Sequence, residues 1–156
     1  MLTIGLLFIS LAAGGLTPAF QMGRVNKEIV STLKEAWRLA GSGRSSREAG
    51  VLLLQNDDGS YNAKLVFDPD AYRQVRFEVT EDVVAMLHTH PNDGNSEPSP
   101  QDKRNADFLQ IPTFTISATG LWVYNPRTRQ TRIVMLDETW MDPANWTEKV
   151  AAQAGL

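Results

Sequence analysis

Two uninterrupted apolar runs, Ala49 to Gln55 and Val83 to Leu87, limit what this chain can fold into more than any other feature. Each is too short for a core helix, and runs of this length without polar alternation read as buried strands. The first ends at Asn56-Asp57-Asp58-Gly59, which predicts a hairpin into a second strand from Tyr61 to Phe67. Asp68-Pro69-Asp70 breaks that strand, and Tyr72 to Val79 alternates only weakly. Strands that need covering require helices, and one precedes them: Val25, Ile29, Val30, Leu33, Ala36, Trp37 and Ala40 form a stripe repeating every three to four positions. Asn26 is placed to cap that helix and Gly41 to end it. Pro91 to Pro98 is a loop rich in Asn, Asp, Gly, Ser and Pro, and Ser99-Pro100-Gln101-Asp102 opens a short helix reaching about Leu109, with Ser at the cap, Pro next and an acid at the third position. Thr113 to Ser117, Leu121 to Asn125 and Thr131 to Asp137 read as three further strands, and a last helix is expected from about Pro143 to Ala152, anchored by Trp140 and Trp146. Trp122 and Tyr124 are expected to pack on the sheet, and Met86 to fill a gap in the core. The order of elements implies an α+β or α/β-type domain with a mixed sheet flanked by helices.

At 156 residues the chain accommodates one such domain and a short appendage. With no cysteine it has no disulfide framework, thiol nucleophile or cysteine metal site, so any metal must bind through His and carboxylates. The net charge of −3, with 15 scattered basic residues, lacks the electrostatic footprint of a dedicated nucleic-acid binder. Residues 1–21 contain no charged side chain, and the apolar run Leu2 to Ala13 is followed by Gly14, Gly15 and Pro18. These are the proportions of a signal peptide without a basic start, which implies export to a periplasm or the outside. An uncleaved anchor touching the membrane, or an N-terminal element of a cytoplasmic domain, fits the same composition.

The two histidines of the chain stand at i and i+2, as His88-Thr89-His90, a separation that random placement gives about one time in a hundred. On a strand these side chains share a face about 6.5 Å apart, within reach of one ion. Alone, such a pair is more often a polar surface feature. Asp102, three residues after Ser99, also has a bland reading, as half of a capping box. A glycine-containing loop between the histidine strand and that helix would nevertheless let Asp102 return to the imidazoles, and two imidazoles plus one carboxylate is the ligand set of an open, catalytic zinc site. A water on such a metal needs a carboxylate to carry its proton, and Glu48, at the entrance of the most apolar strand, is the candidate. The competing reading pairs Glu48 with Arg44 or Arg47. Gly50 would let another backbone approach, and Ser99 could donate to a developing oxyanion.

These residues resemble the JAMM/MPN (JAB-type) zinc metallopeptidase family, whose signature is a Glu shortly followed by Gly, then His-x-His-Pro, then Ser-x-x-Asp. They stand here as Glu48-Ala49-Gly50, His88-Thr89-His90-Pro91 and Ser99-Pro100-Gln101-Asp102. The resemblance spans nearly everything from about residue 25 onward and implies an MPN/JAB-like, cytidine-deaminase-like layered fold over residues 22–156. It implies one Zn2+ per chain held by His88, His90 and Asp102, with Glu48 as general acid/base and Ser99 as oxyanion stabiliser. The implied activity is hydrolysis of a peptide or isopeptide bond in a peptide or protein substrate. The spacer Pro91 to Pro98 is one residue longer than the family's usual pattern, a change that costs little closure entropy in such a loop. The chain lacks the long insertion with which the eukaryotic deubiquitinases hold ubiquitin. Glu97 to Asp102 also resembles the RadC branch, associated with bacterial DNA repair, so a RadC-like protein or a non-catalytic binding module of the same fold stands as the alternative.

Overall fold

The computed structural model describes residues 19–156. The leader-or-anchor expectation for residues 1–21 therefore falls almost wholly outside the described residues. Where the description begins, Phe20 already packs on the core, its ring centroid 5.3 Å from that of Phe114 and 6.0 Å from that of Tyr61. Gln21 N–H donates to the Tyr61 hydroxyl at 2.9 Å, and Met22 is fully buried in a short 3-10 turn, Met22–Arg24. No helix among the described residues is long and apolar enough to cross a membrane.

Helix α1, Lys27–Leu39, starts where the Asn26 side chain accepts from Ile29 N–H at 3.0 Å, and it buries Ile29, Val30, Leu33, Ala36 and Trp37. Gly41, at φ +68°, takes the chain out of the helix. Strands β1, Ala49–Gln55, and β2, Tyr61–Phe67, form the expected antiparallel hairpin. Residues 72–79 form no strand, with only one isolated bridge at Val79. The next strand, β3, Val83–Thr89, is longer than the apolar run that marks it and carries His88 within its ladder. Helix α2, Pro100–Leu109, is followed by β4, Thr113–Ser117, β5, Gly120–Asn125, and β6, Gln130–Leu136.

These six strands make one mixed sheet in the order β2-β1-β3-β4-β5-β6, parallel between β3 and β4 and antiparallel elsewhere. Ala49, Val51 and Leu53 of β1, Ala85 and Leu87 of β3, and Phe114 and Ile116 of β4 face one side and join the main core with α1 and the C-terminal segment. The opposite side carries a smaller cluster of Leu52, Val79, Val83, Met86 and Ile111. Strong burial on both faces explains the lack of alternation in β1 and β3.

The C-terminal region departs from expectation. In place of one helix from Pro143 to Ala152 there are a 3-10 stretch Asp137–Met141, a turn Pro143–Asn145, and a short helix α3, Glu148–Gln153, capped by Thr147. Trp146 interrupts it because its ring is buried and its indole N–H donates to the Trp140 carbonyl at 2.8 Å, which holds the backbone at ψ 85°. Both tryptophans anchor the segment, as expected, but through this break.

Candidate metal centre

The parallel pair β3–β4 needs a crossover connection, and loop 91–98 with α2 supplies it. That crossover returns the first turn of α2 to the C-terminal end of β3, where the histidines are. His88 and His90, only 6% and 9% exposed, bring their Nε2 atoms to 3.0 Å from each other. Asp102 Oδ2 lies 3.4 Å from His88 Nε2 and 3.9 Å from His90 Nε2. A tetrahedral zinc with bonds of about 2.0–2.1 Å needs donor atoms about 3.3 Å apart, and the three separations bracket that value. Among the described residues these are the His and carboxylate groups placed to hold a metal ion.

Asp102 is both cap and candidate ligand. Its Oδ2 accepts from Ser99 N–H at 2.7 Å while Ser99 Oγ accepts from Asp102 N–H at 3.2 Å, a reciprocal capping box that fixes the carboxylate against the imidazoles. His90 is fixed as well: its Nδ1 donates to the Asn95 carbonyl at 2.6 Å, which leaves Nε2 unprotonated and able to act as a metal ligand.

Glu48 reaches the same place from β1. Gly50 pairs with His88, so continuing the antiparallel register sets Glu48 opposite His90, on the same face of the pleat. The alternate residues Ala49 and Thr89 face away, and Ala49 N–H donates to Thr89 Oγ1 at 3.0 Å. Gly50 is required for a different reason from the one expected. The atoms nearest to a Cβ placed there belong to side chains, Phe77 Cε1 at 2.4 Å and Val75 Cγ1 at 2.7 Å, because residues 75–77 cross the sheet at this point. Glu48 makes no ion pair with Arg44 or Arg47 among the described residues. It lines a cavity of about 360 Å³ together with His88, His90, Ser99, Asp102 and Arg73.

The charges in this cavity are strongly coupled. Burial disfavours the His88 imidazolium, but the adjacent Asp102 carboxylate outweighs it and raises the pKa to about 8. Burial and then the neighbouring His88 charge hold His90 down to about 4. Burial pushes the Asp102 carboxyl up, yet His88 and the hydrogen bonds from Ser99 keep it well below the usual carboxylate range. Burial raises Glu48, opposed by His88 and Arg73 and reinforced by Asp102. Without metal the centre is thus an imidazolium–carboxylate pair beside a neutral imidazole, with one proton where a cation would sit.

Three contributors have no mark in the sequence. The Asn95 carbonyl is a backbone group. Arg73 comes from a segment with no clear periodicity. Gly43 holds the loop after His90: Asn92 N–H donates to its carbonyl at 2.7 Å, and a Cβ on it would stand 2.1 Å from Asn92 Oδ1. Tyr124 behaves as expected of a packing residue, being buried with its hydroxyl donating to Asp107 at 2.8 Å, whereas Trp122 is half-buried, lies outside both apolar clusters, and donates its indole N–H to Thr119 Oγ1 at 3.1 Å. No model of a known protein family matches this chain, and no curated protein matches it.

Proposed function

We propose that the chain is a zinc-dependent peptidase or isopeptidase of the JAMM/MPN type, with an MPN-like arrangement of its α+β fold. The observation that carries this reading is the convergence of His88, His90 and Asp102 with a fourth, separately delivered group, the carboxylate of Glu48, in one cavity. A structural metal site would have no use for Glu48 at that position. Zinc held by the two Nε2 atoms and Asp102 would supply Lewis acidity toward an amide carbonyl and toward water.

The protein's own groups account for the proton traffic. Glu48, raised by burial, takes a proton from the attacking water and delivers it to the leaving nitrogen as the C–N bond breaks, giving a carboxylic acid fragment and an amine. Ser99 Oγ accepts from Asp102 N–H and keeps its own hydrogen available to the cavity, where it would donate to the oxygen that gains charge. The Asn95 carbonyl holds His90 in the ligating tautomer, and Phe77 and Val75, packed on Gly50, close the sheet beside Glu48.

The test is a screen of zinc-loaded full-length protein against peptide and isopeptide libraries, read by mass spectrometry, with Glu48→Gln as control. The reading expects cleavage that Glu48→Gln abolishes while the variant still holds zinc. A Glu48→Gln protein that cleaves as well as the parent overturns the assigned role, and a zinc-loaded parent inert on every amide favours the non-catalytic module.

A further inference from the structure

Among the described residues the cavity lining carries one permanent cation. Apart from the two histidines its charged lining residues are Glu48, Glu97, Asp102 and Arg73. Arg73 is held there from three directions. Its backbone adopts φ +48°, a conformation L residues rarely take, fixed by its N–H donating to the Ser46 carbonyl at 2.8 Å. Its Nε donates to the Tyr72 hydroxyl at 3.3 Å, and its Nη2 pairs with Asp93. Nη1 makes no hydrogen bond among the described residues and points toward Gly94, 4.0 Å from where a Cβ on that glycine would be. Asp93 is 66% exposed, so its pairing with Arg73 is solvent-screened and weak, and it occupies only one edge of the guanidinium.

A guanidinium placed in this way, with a free Nη1 and a second nitrogen in a screened pair, suits a planar oxyanion. Arg73 stands on the Glu48 side of the cavity: its N–H is bonded to the carbonyl of Ser46, two residues before Glu48, and Val75 meets Gly50, two residues after it. Glu48 is the group that hands a proton to the leaving nitrogen in the proposed reaction. The part of the substrate nearest Arg73 is therefore the part that departs with the amine. We infer that Arg73 is a specificity-determining residue that binds a carboxylate on the leaving-group side of the scissile amide, within one residue of its nitrogen. This inference rests on the peptidase reading for the term "leaving group", but the binding of an amine-bearing carboxylate by Arg73 stands or falls separately. The carboxylate has two sources, the α-carboxylate of a chain-terminal residue and the side chain of an internal Asp. The cavity of about 360 Å³ that Arg73 lines has room for either.

The experiment uses zinc-loaded full-length protein and one peptide cleaved by it, prepared in four forms. The bond is followed by a single Ala with a free carboxylate, by alaninamide, by an amidated Asp, or by an amidated Asn. The parent is expected to prefer a carboxylate form over its neutral partner, the Ala pair reporting the terminal source and the Asp–Asn pair the internal one. Arg73→Gln should lose about 10- to 100-fold in kcat/KM on the preferred carboxylate peptide, mainly through KM, and little on the neutral ones. Arg73→Lys should recover part of the loss, and Asp93→Asn, which removes the loop contact but leaves the guanidinium, should keep the preference. Equal rates on all four peptides, or an Arg73→Gln loss equal on charged and neutral forms, overturns the inference and leaves the peptidase reading intact. An NMR titration of the zinc-loaded protein with alanine and with aspartic acid α-amide, each beside its neutral counterpart alaninamide or asparagine amide, needs no turnover. Binding of either carboxylate that Arg73→Gln removes supports the anchor even if no peptide is cleaved; binding that ignores Arg73, or binding of neither carboxylate, sinks it.

Discussion

Replacing Asp102 by Asn separates the two roles that this side chain combines. The amide keeps an oxygen that can accept from Ser99 N–H, so the capping box and the start of α2 survive, but the charge facing His88 is gone. In the metal-free parent the His88 pKa is raised from 6.5 to about 8, and at about 1.4 kcal/mol per pH unit that interval is worth about 2 kcal/mol. His88 is nearly inaccessible, so solvent screening does not reduce this figure much. A folded pKa above the unfolded one gives stability that is fully present below pH 6.5 and lost as pH rises through about 8. The metal-free parent should therefore exceed Asp102→Asn in unfolding free energy by at least about 2 kcal/mol more at pH 6 than at pH 9. The assay is urea unfolding of both proteins at the two pH values, together with zinc affinity by competition against a chromophoric chelator. Affinity should fall by at least about 100-fold, more than loss of an outer hydrogen-bonding partner costs. A variant with a pH-independent stability gap and parental zinc affinity would show that Asp102 is a helix cap alone.

Further outcomes test other links. At pH 7 the incoming metal must displace the His88 proton, while His90 is already neutral and Asp102 ionised. Calorimetry in buffers of different ionisation enthalpy should accordingly count about one proton released per zinc, with affinity falling about tenfold per pH unit below pH 8; release of none or of two refutes the charge assignment. Gly50→Ala should cost about 1–3 kcal/mol through its clash with Phe77, and a second change, Phe77→Ala, should restore part of that; strict additivity of the two costs would show they do not touch. Ser99→Ala should cost about 1 kcal/mol of stability through the lost cap, and at matched folded fraction a remaining fall in turnover would report its hydroxyl in the reaction.

How far the fold is legible depends on where its determinants lie. β1, β2, β4 and α2 are marked by local signals: an apolar run, a turn tetrapeptide, a cap followed by proline. The five candidate residues are legible because their side-chain types are scarce and ordered, and the crossover between β3 and β4 then brings Asp102 back to the histidines. What is not legible is decided by contacts remote in sequence. Residues 72–79 have no periodicity because they drape across Gly50 instead of joining the sheet, so nothing announces that Arg73 enters the cavity. Asp142 and Pro143 give a sound helix start, yet burial of Trp146 against Trp140 breaks the helix that local rules would build. The Asn95 carbonyl that orients His90 belongs to the backbone and has no signature at all.

The central claim is that His88, His90 and Asp102 form a metal centre, and the most direct measurement is the zinc content of the purified full chain beside a His88→Ala/His90→Ala protein. About one zinc per chain in the parent and none in the double variant is the predicted result. A folded parent that takes up no zinc after reconstitution at pH 8, where the His88 proton no longer competes strongly, would contradict it.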